Sequence, residues 1–121
     1  MDVRNLGSWG ERKAANYLRL HGYRIADMNC SYRQGEIDIV AENRGYIVFV
    51  EVKLRKDASH GEAKEFVTPA KQRRVITAAE IWLSEHETEK QPRFDVIEIY
   101  APDGTDSKHI KINHIENAFE V

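Results

Sequence analysis

Disulfide chemistry is excluded at the outset, because the chain contains a single cysteine, Cys30. One cysteine suits a reducing compartment, and the cytoplasm is the expected location. Long apolar runs are absent too. No stretch approaches the roughly 20 residues needed to span a bilayer, and Met1 to Gly10 lacks the apolar centre of a secretory signal, so no membrane partner is expected. The histidines, His21, His60, His86, His109 and His114, show no zinc-like spacing, so neither they nor Cys30 is read as a metal ligand. Net charge is small, −2, which counts against a domain that grips nucleic acid tightly by itself. Its distribution is uneven, however. Positive residues gather at Arg33, Lys53–Arg55–Lys56, Lys64 and Lys71–Arg73–Arg74, and acids at Glu80–Glu89 and Asp103–Asp106, so a polarised surface is expected.

With 121 residues, 41% hydrophobic and 31% charged, the chain is expected to form one globular domain, residues 1–121. Leu6, Gly10, Ala14, Tyr17 and Leu18 recur at helical spacing, so a helix is predicted from Leu6 to His21. A strand follows from Tyr23 to Asn29, then a polar turn over Ser31–Gly35, then an alternating strand from Glu36 to Glu42. Asn43–Arg44–Gly45 reads as a hairpin connection. The next strand, Tyr46 to Leu54, opens with five apolar residues, which marks a central strand covered on both sides. A charged loop runs from Arg55 to Val67. Thr68–Pro69 then supplies an N-cap and a first-turn proline for a helix that carries Val75, Ala78, Ala79 and Trp82 inward and stops near His86. Phe94–Tyr100 and Lys108–Ile112 read as strands. Asn113 with Glu116 forms a capping box for a short terminal helix ending at Ala118–Phe119. The order αβββαβ, with a terminal βα, implies an α/β layered domain with a mixed central sheet flanked by helices.

Chemistry concentrates at the end of the central strand. Glu51 and Lys53 are two residues apart and share a face, so opposite charges emerge where an apolar strand ends, and charges in such a place need a partner, a metal or a substrate. Asp38 lies on the preceding strand, about as far before the hairpin as Glu51 lies after it, which brings the carboxylates to one face about 5 Å apart. Like charges repel there, and a divalent cation removes the repulsion. Mg²⁺, or Mn²⁺ in its place, takes such carboxylates and keeps waters for a phosphate. Lys53 is suited to position an attacking water, and phosphodiester hydrolysis is the expected reaction. Arg33, Arg55 and Lys71 suit phosphate contacts. Trp9, Tyr17 and Trp82 are read as core residues.

Gly35–Glu36–Ile37–Asp38 followed by Glu51–Val52–Lys53 resembles the PD-(D/E)xK nuclease motif on the restriction-endonuclease-like αβββαβ core. With Gly10–Glu11, Ala14 and Leu18, Gly22 to Ile25, Val48 to Lys53 with Arg55, and Phe94–Asp95–Val96, nearly the whole chain is similar to the bacterial YraN-like family, whose members are named endonucleases by inference from fold. The resemblance implies that Asp38 and Glu51 ligate the metal with the Val52 carbonyl as third ligand, and that Lys53 orients the nucleophilic water. It also implies a role for Glu11, which resembles the helix-borne acid of archaeal Holliday-junction resolvases. The rival reading of Glu11 is a capping box, Ser8-x-x-Glu11. Glu36, on the face of Asp38, is a surface residue or a secondary ligand. The motif's proline is absent before Asp38, and the later tyrosine of the helicase-associated nucleases is absent near Gln72. The expected activity is endonucleolytic cleavage of nucleic acid, DNA in the first place, with structure-specific substrates suggested by the resolvase likeness. That likeness also raises a homodimer, beside a protein partner. The alternative is a nuclease-fold module that binds nucleic acid or protein without cutting.

Overall fold

A computed structural model describes residues 3–56 and 67–121, with side chains from Ser8 onward. The greater part of the predicted Arg55–Val67 loop, with Lys64 and His60, lies outside the described residues. In chain order the elements are α1 (Val3–Leu20), β1 (Arg24–Tyr32), β2 (Gly35–Glu42), β3 (Tyr46–Arg55), α2 (Pro69–Glu85), β4 (Gln91–Tyr100) and β5 (Lys111–Phe119), with one 3-10 turn over Gly104–Asp106. The five strands form one sheet in sequence order, β1-β2-β3-β4-β5. Neighbours are antiparallel except β3 and β4, which run parallel and are joined through α2. This is a mixed α/β sheet flanked by two helices, consistent with a restriction-endonuclease-like core.

Both faces of the sheet are covered, so its central strands are apolar on alternate and intervening positions alike. On one face α1 lays Ala14, Ala15 and Leu18 against Ile39, Ala41, Val48, Val50, Ile97 and Ile99. On the other, α2 lays Val75, Ala78, Ala79 and Trp82 against Ile37, Val40, Ile47, Phe49, Phe94 and Val96. A two-sided apolar strand carries no inside–outside alternation to fix its register. The turn supplies it instead. Asn43 Oδ1 accepts from Gly45 N at 3.0 Å and Tyr46 N at 2.9 Å, and Asn43 N donates to Tyr46 O at 3.1 Å. The pairing that follows runs from Glu42↔Ile47 to Ile39↔Val50.

The helices end where local chemistry dictates. At the C-terminus of α1, Tyr23 N reaches Leu18 O at 3.0 Å and Gly22 N reaches Arg19 O at 3.3 Å, a Schellman closure that needs the positive φ of 88° at Gly22. At the start of α2 the Thr68 hydroxyl accepts from Lys71 N at 3.2 Å, with Pro69 in the first turn.

Two local expectations are corrected. Residues 113–119 continue β5 rather than forming a terminal helix, because the Asn113 side chain donates to Glu98 Oε1 at 2.8 Å instead of capping. Asn117, at φ 51°, delivers its N–H to Asp95 Oδ1 at 3.0 Å across the bulge in the β4–β5 ladder. Ser8 does not cap α1 either. The helix begins at Val3, and the Ser8 hydroxyl accepts from Arg12 Nη1 at 3.1 Å.

Gly35 opens β2 directly beneath the α2 backbone. A Cβ there would lie 2.2 Å from the carbonyl oxygen of Arg74, and neither backbone can yield without moving the helix. Gly35→Ala should therefore cost about 1–3 kcal/mol, the usual penalty of overpacking, read as a lower urea midpoint with an unchanged slope.

Candidate active site at the divergence of two strands

The last ladder pair of β2 and β3 is Ile39↔Val50. One step further along the same register Asp38 comes opposite Glu51, where cross-strand bonding stops, and Glu51 lies on the α2 side of the sheet. The vacated bonding position is taken by the Asp38 side chain, whose Oδ2 accepts from Val52 N at 2.8 Å. Glu51 is buried, and its Oε1 lies 3.3 Å from Lys71 Nζ on the first turn of α2. Its other oxygen, Oε2, is buried without a hydrogen-bond partner among the described residues. Two carboxylates therefore share a place with one lysine and one backbone N–H, one donor short.

The electrostatics follow from this shortage. Burial raises the Asp38 carboxyl, and the Glu51 charge raises it further, to about 7, against the opposing pull of Val52 N–H and Lys71. Glu11 on α1 is raised too, by burial first and then by the charge of Asp38, with a hydrogen bond from the Asn29 side chain opposing. Glu11 thus feels the charges of Asp38 and Glu36, although among the described residues no three His, Cys, Asp or Glu side chains form a cluster able to hold a metal ion. The ligand set in view is two carboxylates, to which a hard cation adds waters and substrate oxygens. The orphaned Oε2 and the uncompensated second charge fit such a cation.

The remaining candidates separate. Lys53 follows Glu51 on the same face, in register with Glu98 of β4, and makes no ion pair among the described residues. Val52 is half-buried between them in sequence. Arg33 and Glu36 are exposed at the start of β2 and the turn before it. Lys71 sits inside the site rather than at its rim. Arg55 is turned inward, with its side chain 11% exposed and its Nε 2.8 Å from Glu98 Oε2. That places it as a structural cation, against its reading as a peripheral phosphate contact.

Two buried acids were missed from sequence. Glu98 is held by Arg55, by the Tyr100 hydroxyl at 2.8 Å and by Asn113 at 2.8 Å. Asp95 takes both arms of Arg93, at 2.9 and 2.8 Å, and has His114 Nε2 at 2.6 Å. Burial raises the Asp95 carboxyl, but hydrogen bonds from His114, Arg93 and Asn117 N–H outweigh it and hold the group below the ordinary carboxylate range. The signal was present in Arg93-Phe-Asp-Val-Ile-Glu-Ile-Tyr100, since charges inside so apolar a strand must be paired. Cys30, raised to about 12 by burial and then by Asp27, keeps its proton at neutral pH and offers no thiolate.

Comparison with known proteins covers the segment that holds these residues. The profile described as "Uncharacterised protein family UPF0102" matches residues 10–99. A "UPF0102 protein" of Pelobacter propionicus is 49% identical over 99% of this chain and 86% of its own length. One from Syntrophotalea carbinolica is 42% identical over 97% and 93%, and one from Chlorobium phaeobacteroides 45% identical over 95% and 94%.

A carboxyl raised by folding destabilises the folded state above its unfolded value. With Asp38 at about 7 folded, against an ordinary 3.8, the metal-free protein loses stability as pH rises through that window. Asp38→Asn keeps an acceptor for Val52 N–H and removes the charge. It should melt about 5 °C above the parent at pH 8 and close to it at pH 4, measured by scanning calorimetry in chelator.

Proposed function

We propose, for a chain that belongs to the uncharacterised protein family UPF0102, a PD-(D/E)xK-like family, that it is a metal-dependent endonuclease hydrolysing phosphodiester bonds in nucleic acid, with DNA as substrate. The observation that carries this reading is the facing pair Asp38 and Glu51, with one buried oxygen left without a donor. A protein that only bound nucleic acid would gain nothing from two adjoining carboxylates, which repel a phosphate.

In this reading Asp38 and Glu51 hold Mg²⁺ or Mn²⁺, with the Val52 carbonyl as a third ligand. The ion, when bound, offsets charge on the scissile phosphate and lowers the pKa of water. The chain's own residues do the positioning. Lys53, next along the face from Glu51, orients the attacking water and holds its negative form. Glu11 approaches from α1 and accepts a proton or orients solvent. Arg33 contacts the phosphate backbone at the outer edge. Such contacts supply sequence-independent affinity, and structure-specific substrates remain the class favoured by the resolvase likeness. Among the described residues no helix is long and apolar enough to cross a membrane, and a cytoplasmic location goes with the proposed nucleic-acid substrate. The net charge of −2 favours a second reading, a nuclease-fold module that binds nucleic acid or protein without cutting, or that cuts only as a homodimer or with a partner.

The deciding measurement is incubation of the purified protein with linear, flapped, single-stranded and four-way DNA, in Mn²⁺ and in chelator. Cleavage in Mn²⁺ alone is expected. Lys53→Ala should reduce the rate by about 100-fold or more, the scale of a lost proton-transfer or orienting group, while DNA affinity changes little. Arg33→Ala should instead weaken binding on every sequence and lower the salt slope by about one. Cleavage by Lys53→Ala at the parental rate would remove Lys53 from the chemistry.

A further inference from the structure

Among the described residues α2 is the one element that brings a cation to the acidic pair from outside the motif, and its position is fixed three times over. Thr68 caps its first turn at Lys71 N. The Gln72 side chain donates to Val67 O at 2.8 Å. Gly35 lets β2 lie against the carbonyl of Arg74. These contacts set the height of the first turn above the sheet and leave Lys71 Nζ 3.3 Å from Glu51 Oε1. The lysine side chain is 30% exposed while that of Glu51 is 5% exposed, so the ammonium enters the site from the solvent side and has room to leave it. The pair is monodentate. Glu51 Oε2 receives nothing from it.

We infer that Lys71 is a built-in counter-ion of Glu51, which occupies the acidic pair in the metal-free protein and is displaced to the substrate phosphate when a divalent cation enters. The inference rests on the metal-binding reading above and gives Lys71 a role that reading does not require. An ammonium and a divalent ion compete for one carboxylate, because each repels the other at such short range. A single charge offsets only half of the pair and leaves Glu51 Oε2 without a donor, and a dication completes the compensation. Once released, an ammonium on a flexible four-carbon stem stays within reach of the anion that follows the metal in. Lys71 would thus lower metal affinity in the empty protein and recover that cost when substrate is present.

The test compares parent, Lys71→Gln and Lys71→Arg, without nucleic acid, by calorimetric titration with Mn²⁺ and by melting in chelator. Lys71→Gln keeps a donor for Glu51 and loses the charge. It is expected to melt lower than the parent in chelator, to bind Mn²⁺ about tenfold tighter, and to gain more in Tm on Mn²⁺ addition. Lys71→Arg should resemble the parent. DNA affinity measured in Ca²⁺ should fall for Lys71→Gln and in chelator should fall less. Equal or weaker Mn²⁺ binding by Lys71→Gln, with the parent binding demonstrably, would overturn the counter-ion role and leave the metal site standing. Absence of Mn²⁺ binding by every variant would overturn both. Should Lys71→Gln fail to fold, side-chain NMR of the parent during Mg²⁺ titration decides. The Lys71 ammonium is expected to shift and sharpen as it leaves Glu51, and an unchanged signal at saturating Mg²⁺ overturns the inference.

Discussion

Two like charges facing each other across a strand pair, one step beyond its last ladder bond, are the constraint around which the rest is arranged. Continued antiparallel pairing would set Asp38 and Glu51 directly opposite and bury a costly repulsion. Here the ladder stops at Ile39↔Val50, and the Asp38 carboxylate itself takes the next backbone donor, Val52 N–H. The side chain thereby substitutes for a strand. It holds β2 against β3 while leaving a gap between them that backbone pairing would have closed. Everything that sets the register upstream, above all the Asn43 side chain in the hairpin, determines whether those two carboxylates meet.

Buried acids elsewhere in the molecule show what a purely structural carboxylate looks like. Glu98 has donors on both oxygens, Tyr100 on Oε2 and Asn113 on Oε1, with the Arg55 guanidinium as its counter-charge. Asp95 has Arg93, His114 and the Asn117 N–H. Both are fully buried, and both are fully satisfied. The Asp38–Glu51 pair is the contrast: also inside the protein, with fewer donors than its oxygens require. Since buried polar groups in folded proteins are nearly always satisfied, an under-satisfied pair beside well-satisfied ones separates a site kept ready for something else from one that holds the fold together. The same comparison moves Arg55 out of the binding surface and into the framework.

Much of this was legible in the sequence, for reasons that differ by residue. Asp38 and Glu51 are linked by a short hairpin, so counting outward from Asn43–Gly45 predicts their meeting without knowledge of any other element. Thr68–Pro69 marks the start of α2 because cap chemistry is local. Failures came where one local pattern serves two structures. Asn113 with Glu116 reads as a capping box, and Ser8 with Glu11 allows one as a rival to a site acid, yet Asn113 is a strand residue bonded to a distant glutamate and Ser8 lies within a helix that began earlier. Lys71 was visible as a charge but not as the partner of Glu51. That contact depends on how high α2 rides over the sheet, which is set by Gly35 and Arg74 from two separate elements. Arg55 turned inward for the same reason, its partner being more than 40 residues along the chain.

Strand order and sequence order coincide throughout this sheet, and that has a consequence during synthesis. Asp38, Glu51, Lys53 and Glu11 all lie within the first three strands and the helix before them, a segment whose pairings are antiparallel and local, the kind that forms quickly. A growing chain emerges N-terminus first, so the acids and their hairpin leave the ribosome before any part of α2. For that interval the two carboxylates have no Lys71 to lean on, and must draw on protons, dissolved cations or the cations of their own segment. The nascent protein meets its repulsion first and its internal remedy second.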